Sequence, residues 1–235
     1  MATMKRRMDR MLLAAGVSVL VACSATEAAT ETTSPREAIG AAAAPIKVTY
    51  FTPAQTEGPY YPVNKPKDRD NDLVDLEGSD GSPAGEILEF GGRLFDASGM
   101  PVAGAVVEIW QTDNNGVYLH PNDPGTSRRD PHFQFYGESV TADDGSYRFR
   151  TIVPGHYRPR PRHIHVKIWM NGRELLTTQF YFSDDPYLAS DSVLGRATAG
   201  QRALYIQLDE GPGTDLSPAR IGHRDIVLRT HLSQP

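Results

Sequence analysis

From residue 86 onward, short runs of β-branched and aromatic residues alternate with polar turns, and no long helical period survives. The runs predict strands at 86–95, 105–110, 146–152, 163–170, 175–182, 203–208 and 225–229. In 146–152, Tyr147, Phe149 and Thr151 alternate with polar neighbours, as a strand with one buried face requires. Turn signals sit between the runs: Asp96 to Gly99, Asp113 to Gly116, Asp143 to Gly145, and Asn171-Gly172, the dipeptide of a two-residue hairpin. Eighteen prolines and 21 glycines keep the elements short. Short strands at this spacing predict an all-β chain with a β-sandwich core. The stretches 55–84, 111–136 and 183–202 are too long to be mere connectors and are expected to frame a site.

The N-terminal part reads differently. Residues 1–22 are expected to be a signal peptide: Lys5, Arg6, Arg7 and Arg10 precede an apolar stretch from Met11 to Ala22 that is too short to span a bilayer. It ends Leu20-Val21-Ala22-Cys23, which resembles the lipobox of a bacterial lipoprotein, so Cys23 is expected to carry a lipid and anchor the protein in the cell envelope. Arg6-Arg7 hints at twin-arginine export and Asp9 speaks against it. Residues 23–46, rich in Ala, Thr, Ser and Glu, read as a tether, and 47–235 as one folded domain. Cys23 is the single cysteine, so no intrachain disulfide supports the fold. The formal charge is −5, and loss of the four basic groups and one acidic group of residues 1–22 takes it to −8, which disfavours nucleic acid as a partner. A homo-oligomer is compatible with this composition.

One segment carries metal chemistry. If 163–170 is a strand, His163 and His165 share a face and can reach one ion. Tyr157 lies six residues upstream, across Pro159 and Pro161, which are expected to keep the chain extended. Imidazole suits several transition metals, whereas phenolate is a hard anionic donor suited to a trivalent ion such as ferric iron. By itself a His-x-His pair is usually an ordinary strand feature, and Tyr118, one turn after the strand ending at Trp110, reads equally well as a packed tyrosine. His120, His132, His156, His223 and His231 read as solvated or hydrogen-bonded, with His156 beside Tyr157 near any pocket. Glu108 reads as a structural hydrogen-bond partner, and Trp110 and Trp169 as core.

The run Gly91-Gly-Arg-Leu-Phe-Asp-Ala-Ser-Gly-Met-Pro-Val-Ala-Gly104 through Glu108-Ile-Trp110 to Gly116-Val-Tyr118 resembles the signature of the intradiol ring-cleavage dioxygenases, which include protocatechuate 3,4- and catechol 1,2-dioxygenases. Further pieces follow in the family's order: Thr56-Glu-Gly-Pro-Tyr60-Tyr61, Asp144-Gly-Ser-Tyr-Arg-Phe149, Pro154-Gly-His-Tyr157, Arg160-Pro-Arg-His163-Ile-His165, and Thr178-Gln179-Phe-Tyr-Phe182. The resemblance implies a β-sandwich with long loops framing a metal site. Tyr118, Tyr157, His163 and His165 become the protein ligands of a non-haem Fe(3+), with a solvent hydroxide beside them. It makes Arg160 the stabiliser of the activated substrate anion, Gln179 its neighbour, and Tyr157 a ligand that also takes a substrate proton. The implied reaction opens a catechol ring between its hydroxyl-bearing carbons with O2, giving a cis,cis-muconate type product. The chain lacks an obvious helical N-terminal region of the catechol 1,2 type, so the protocatechuate type is the nearer likeness. Arg158, Arg160 and Arg162 are open to three readings: recognition of a substrate carboxylate, a solvated face, or contact with acidic groups elsewhere. Two rivals remain: a non-catalytic cell-envelope β-sandwich binding module, since Asp-Gly-Ser-Tyr-Arg-Phe and Pro-Gly-His-Tyr also resemble carboxypeptidase-regulatory sandwiches, and a zinc hydrolase using the two histidines.

Overall fold

The computed structural model describes residues 44–197, 200–211 and 219–232. The expected signal peptide, Cys23 and most of the tether lie outside these residues. Two five-stranded sheets are formed among the described residues. In the first, β1 (Ile87–Phe95) pairs antiparallel with β4 (Ser146–Ile152) on one edge. Its other edge pairs in parallel with β9 (Ala219–His223) and then β10 (Ile226–Val227), while β8 (Leu208–Glu210) extends the sheet from β9. The second sheet runs β3 (Tyr136–Val140), β2 (Val106–Trp110), β5 (His163–Met170), β6 (Arg173–Phe182) and β7 (Tyr205–Ile206). Asn171 and Gly172 close the β5–β6 hairpin with φ of 51° and 73°, the left-handed pair that a type I′ turn needs.

Alternation decides which side chains meet between the sheets. Along β1 every second residue is buried, and Phe90 and Leu94 point inward with Phe149 of β4. From the other sheet Ile109, Val166, Ile168 and Phe180 face them, and the Phe90 and Phe180 rings meet edge to face at 6.2 Å across the interface.

Some expectations are corrected. Residues 203–208 do not form one strand: Gln201–Leu204 is a 3-10 turn, and an exposed Gln207 separates β7 from β8. The 225–229 strand shrinks to β10. Strands β3 and β9 were not anticipated. β3 reads Tyr-Gly-Glu-Ser-Val, with no apolar alternation, because its outward Glu138 is matched by Lys65 and Arg69 from a distant loop. Gly137 is required there because a Cβ would lie 2.5 Å from the Asp70 carbonyl oxygen.

Strand β5 is buried on both faces, and its second face is the informative one. His163, His165 and Lys167 point away from the interface between the sheets, in register with Tyr181, Gln179 and Thr177 on β6 and with Trp110 and Glu108 on β2. This outer face of the second sheet is covered by residues 53–65. Main chain and side chains both hold that strap. Gln55 N donates to Thr177 O (2.9 Å), Thr178 Oγ1 to Pro53 O (2.8 Å) and Tyr61 Oη to Glu108 Oε2 (2.8 Å). Lys167, 4% exposed, pairs with Glu57 and packs 4.2 Å from the Tyr61 ring centroid. Glu108 is thus a structural partner, bonded to Tyr61 and Lys65 as expected.

Candidate active site

Two loops and β5 bring the four expected ligands to the outer face of the second sheet. Tyr118 arrives through the turn after β2: Gly116 N donates to Asp113 O (3.1 Å) and Asp113 N to Val117 O (3.0 Å). The buried Asp113 carboxylate collects the N–H groups of Asn115, Val117 and Asp130, so the turn is internally satisfied. Asp123 then accepts Tyr118 N at 2.9 Å. Gly116, at φ 73°, lies so close to the segment that follows β4 that a Cβ would stand 2.2 Å from His156 O, and Gly155 N donates to Asp113 O at 3.0 Å. That backbone contact sets Tyr118 beside Tyr157; their rings are 5.8 Å apart and nearly perpendicular.

The Tyr118 hydroxyl lies 3.0 Å from His163 Nε2, which in turn lies 3.2 Å from His165 Nε2. His163 Nδ1 is 2.7 Å from Pro161 O; a carbonyl only accepts, so the proton sits on Nδ1 and Nε2 presents a lone pair. Burial, aided by the Arg160 charge, pulls His163 down to about 4, and burial with His163 and Arg160 pulls His165 well below its ordinary value. Both rings are therefore neutral at pH 7. Apart from that contact to His163, His165 is fixed by stacking. Its ring lies 4.6 Å from that of Trp110 at 12°, Gly58 backs its Cε1, and its buried Nδ1 has no partner among the described residues. Trp110 thus supports the site and is not only core. Tyr118 is fully buried, and that burial holds its phenol far above the ordinary range, with Arg160 opposing.

These atoms fit a metal. Two neutral imidazoles turn Nε2 toward each other and toward a phenol oxygen, an arrangement that a cation placed among them would satisfy. Among the described residues no group of three or more His, Cys, Asp or Glu could hold an ion, so any metal here depends on the tyrosines. That weighs against a zinc hydrolase built on the histidines alone.

Tyr157 is half-buried on a loop. The chain after it turns instead of running extended: the Arg158–Pro159 peptide is cis and Arg160 N donates to Tyr157 O at 2.9 Å. Tyr60 of the strap packs against both tyrosines of the expected donor set, at 5.1 Å from the Tyr118 ring and 5.4 Å from the Tyr157 ring. Its hydroxyl is pushed up to about 12, by the Tyr157 hydroxyl first and by burial second. The Thr56–Tyr61 segment signalled this position, but Tyr60 itself was not singled out.

The arginine run divides. Arg160 donates through Nη2 to Gln179 Oε1 (2.7 Å) and Tyr181 Oη (3.1 Å), and through Nε to Asp191. Gln179 also fastens the strap, donating from Nε2 to Thr56 O at 2.7 Å. Arg162 donates through its backbone N (3.0 Å) and Nε (2.9 Å) to Asp185, which also pairs with His156 (2.9 Å). Of the three readings of this run, contact with acidic groups therefore holds for Arg160 and Arg162. Arg158 is exposed and lies 5.3 Å from the Tyr187 ring centroid. Asp185, Asp191 and Tyr181 escaped the sequence reading, because charge complementarity across two loops leaves no spacing to read. His120, His132 and His223 take hydrogen-bonding partners outside the donor set: Asn122 N, Ser79 Oγ and Asp225; the His120 ring also lies 5.6 Å from that of Tyr60.

The sandwich gathers two tyrosines and two histidines, oxygen and nitrogen donors, on the outer face of its second sheet. The family model described as "Dioxygenase" matches residues 56–211. The chain is 35% identical over 175 residues to the protocatechuate 3,4-dioxygenase beta chain of Burkholderia cepacia, covering 71% of this chain and 74% of that one. It is 32% identical over 166 residues to the catechol 1,2-dioxygenase of Acinetobacter baylyi, covering 63% of this chain and 51% of that protein, so it spans about half of that relative's length. Among solved structures, the dioxygenase domain of a dioxygenase–carbohydrate-binding protein fusion from the cellulolytic bacterium Streptomyces sp. SirexAA-E aligns with a TM-score of 0.60 and 33% identity over 77% of this chain and all of that domain. This chain belongs to the intradiol ring-cleavage dioxygenase family, whose members use non-haem iron.

Proposed function

We propose that the protein is an Fe(III) intradiol dioxygenase that inserts both atoms of O2 into a catechol, cleaving the ring between its hydroxyl-bearing carbons to a cis,cis-muconate type dicarboxylate. The observation that carries this reading is that His163 Nε2 lies 3.0 Å from the Tyr118 hydroxyl and 3.2 Å from His165 Nε2, with Tyr157 and Arg160 alongside. Ferric iron, when bound, supplies the Lewis acidity that acidifies coordinated phenols and activates the catechol toward O2. His163 and His165 donate lone pairs because burial keeps them neutral. Tyr118 and Tyr157 supply negative charge, which selects a trivalent ion over a divalent one. Tyr157 is the less buried of the two and sits on a loop, so it is the phenolate suited to take a catechol proton at Oη, with Tyr60 as its neighbour. Trp110, Gly58 and the strap keep water from the His165 side. Arg160 carries a permanent positive charge that favours the anionic substrate ring.

Metal analysis tests this directly. Native protein is expected to hold one iron per chain and to be red-brown through tyrosinate charge transfer; Tyr157→Phe is expected to shift that band and weaken iron retention. Stoichiometric zinc without iron would end the reading. The membrane location is a separate proposal, from residues outside the described part. Cys23→Ser is expected to move activity from the membrane to the soluble fraction, because one removed lipidation site removes the anchor. A mature wild-type chain beginning after Cys23 contradicts it.

A further inference from the structure

Arg160 is held by three side chains, none of which belongs to the donor set, and one of them is charged. Gln179 and Tyr181, both on β6, accept from Nη2. Asp191, from the loop between β6 and β7, accepts from Nε. The Asp191 side chain is fully buried, whereas that of Arg160 is 18% exposed. Its second oxygen, Oδ1, accepts Leu194 N at 2.6 Å and so opens the 3-10 turn Leu194–Ala197. Nη1 of Arg160 has no protein partner among the described residues.

We propose that Asp191 is a positioning residue that locks the Arg160 guanidinium against β6 and leaves Nη1 free for the substrate anion; this role rests on the catechol-cleavage reading. A guanidinium is a rigid planar fork on a flexible stem, so holding two of its corners defines the direction of the third. Gln179 and Tyr181 are neutral and share one corner. The Nε corner is held by an anion: all three bonds share the ionised donor, but only this one pairs it with an opposite charge, and in a buried place. Without it the stem regains rotamers, and a small misplacement of a group that must meet developing charge is costly in rate. The same carboxylate shapes its own loop through Leu194, so loop fold and guanidinium direction are coupled.

Asp191→Asn separates the two tasks. Asparagine keeps a carbonyl oxygen for Leu194 N and removes both the charge and the acceptor that faces Arg160 Nε. In the iron-loaded enzyme with catechol as substrate, the variant is expected to keep its iron and visible band, leave KM unchanged, and lose about ten- to a hundredfold in kcat. In an Arg160→Leu background the same substitution is expected to cause no further loss of kcat. There it should also raise the melting temperature, because it removes a buried carboxylate that no longer has a counter-charge. Equal kcat losses in both backgrounds would mean that Asp191 acts through the fold and not through Arg160, and would overturn the proposal. Wild-type kcat for Asp191→Asn would overturn it too. An iron-loaded wild type that cleaves no catechol overturns the functional reading, and this role with it; an active wild type matched by the variant overturns the role alone.

Discussion

Arg160→Leu is expected to keep its iron and its colour, still bind catechol with a spectral change, and turn over about two to three orders of magnitude more slowly, by analogy with loss of an oxyanion-hole donor. The guanidinium contacts Gln179, Tyr181 and Asp191 and none of the expected ligands, so its loss acts on the substrate and not on the metal. It also has a stability cost. Asp191 is left fully buried without its counter-charge, worth about 2–4 kcal/mol once the partial exposure of Arg160 is allowed for. The melting temperature should then fall by roughly 5–15 °C for a domain of this size. Gln179→Ala should be milder in rate, since a neutral partner contributes less than an ion. Steady-state oxygen uptake with the best catechol, alongside iron content, is the measurement. Wild-type turnover in Arg160→Leu would reduce Arg160 to a structural partner of Asp191.

Gly116→Ala is expected to destabilise the domain by about 3 kcal/mol or more, lowering the melting temperature by roughly 6–12 °C. Two causes add. The residue sits at φ 73°, where an L side chain costs about 1–2 kcal/mol. Its Cβ would also stand 2.2 Å from His156 O, a main-chain atom that cannot swing aside like a flexible side chain. Relief requires the segments carrying Tyr118 and Tyr157 to separate, so iron retention should fall with stability. Thermal melts and metal analysis of the purified variant check both. Gly104→Ala is the control: its φ is 72°, but nothing lies within 4 Å of the added carbon, so only the conformational cost remains. If both variants melt alike, the close approach at His156 is not what sets the two tyrosines.

Much of this was legible locally. Strands β1, β2, β4, β5 and β6 are marked by alternation and by turn residues adjacent in the chain, and the His163–His165 pairing follows from the two-residue repeat of a strand. Motif order added the two tyrosines, Arg160 and Gln179, because residues that must meet at one centre keep characteristic spacings in a family. Where local signals were weak the reading failed: β3 carries Glu138 on a face that only Lys65 and Arg69 make acceptable, and the turn at Arg158–Pro159 runs against the extended path that prolines suggest.

The sequence by itself determined the all-β class, the main strands, and the residue types that can form a metal site. Only the tertiary structure decided that this site lies on the outer face of the second sheet, beneath the 53–65 strap, with Tyr60 against both tyrosines. It also decided that Asp185 and Asp191 take up Arg162 and Arg160, and that Trp110 stacks on His165. The physical reason is range. Strand alternation and turn chemistry are set by neighbours a few residues apart, whereas ion pairs between loops depend on where the packed sheets place segments that have no periodicity of their own.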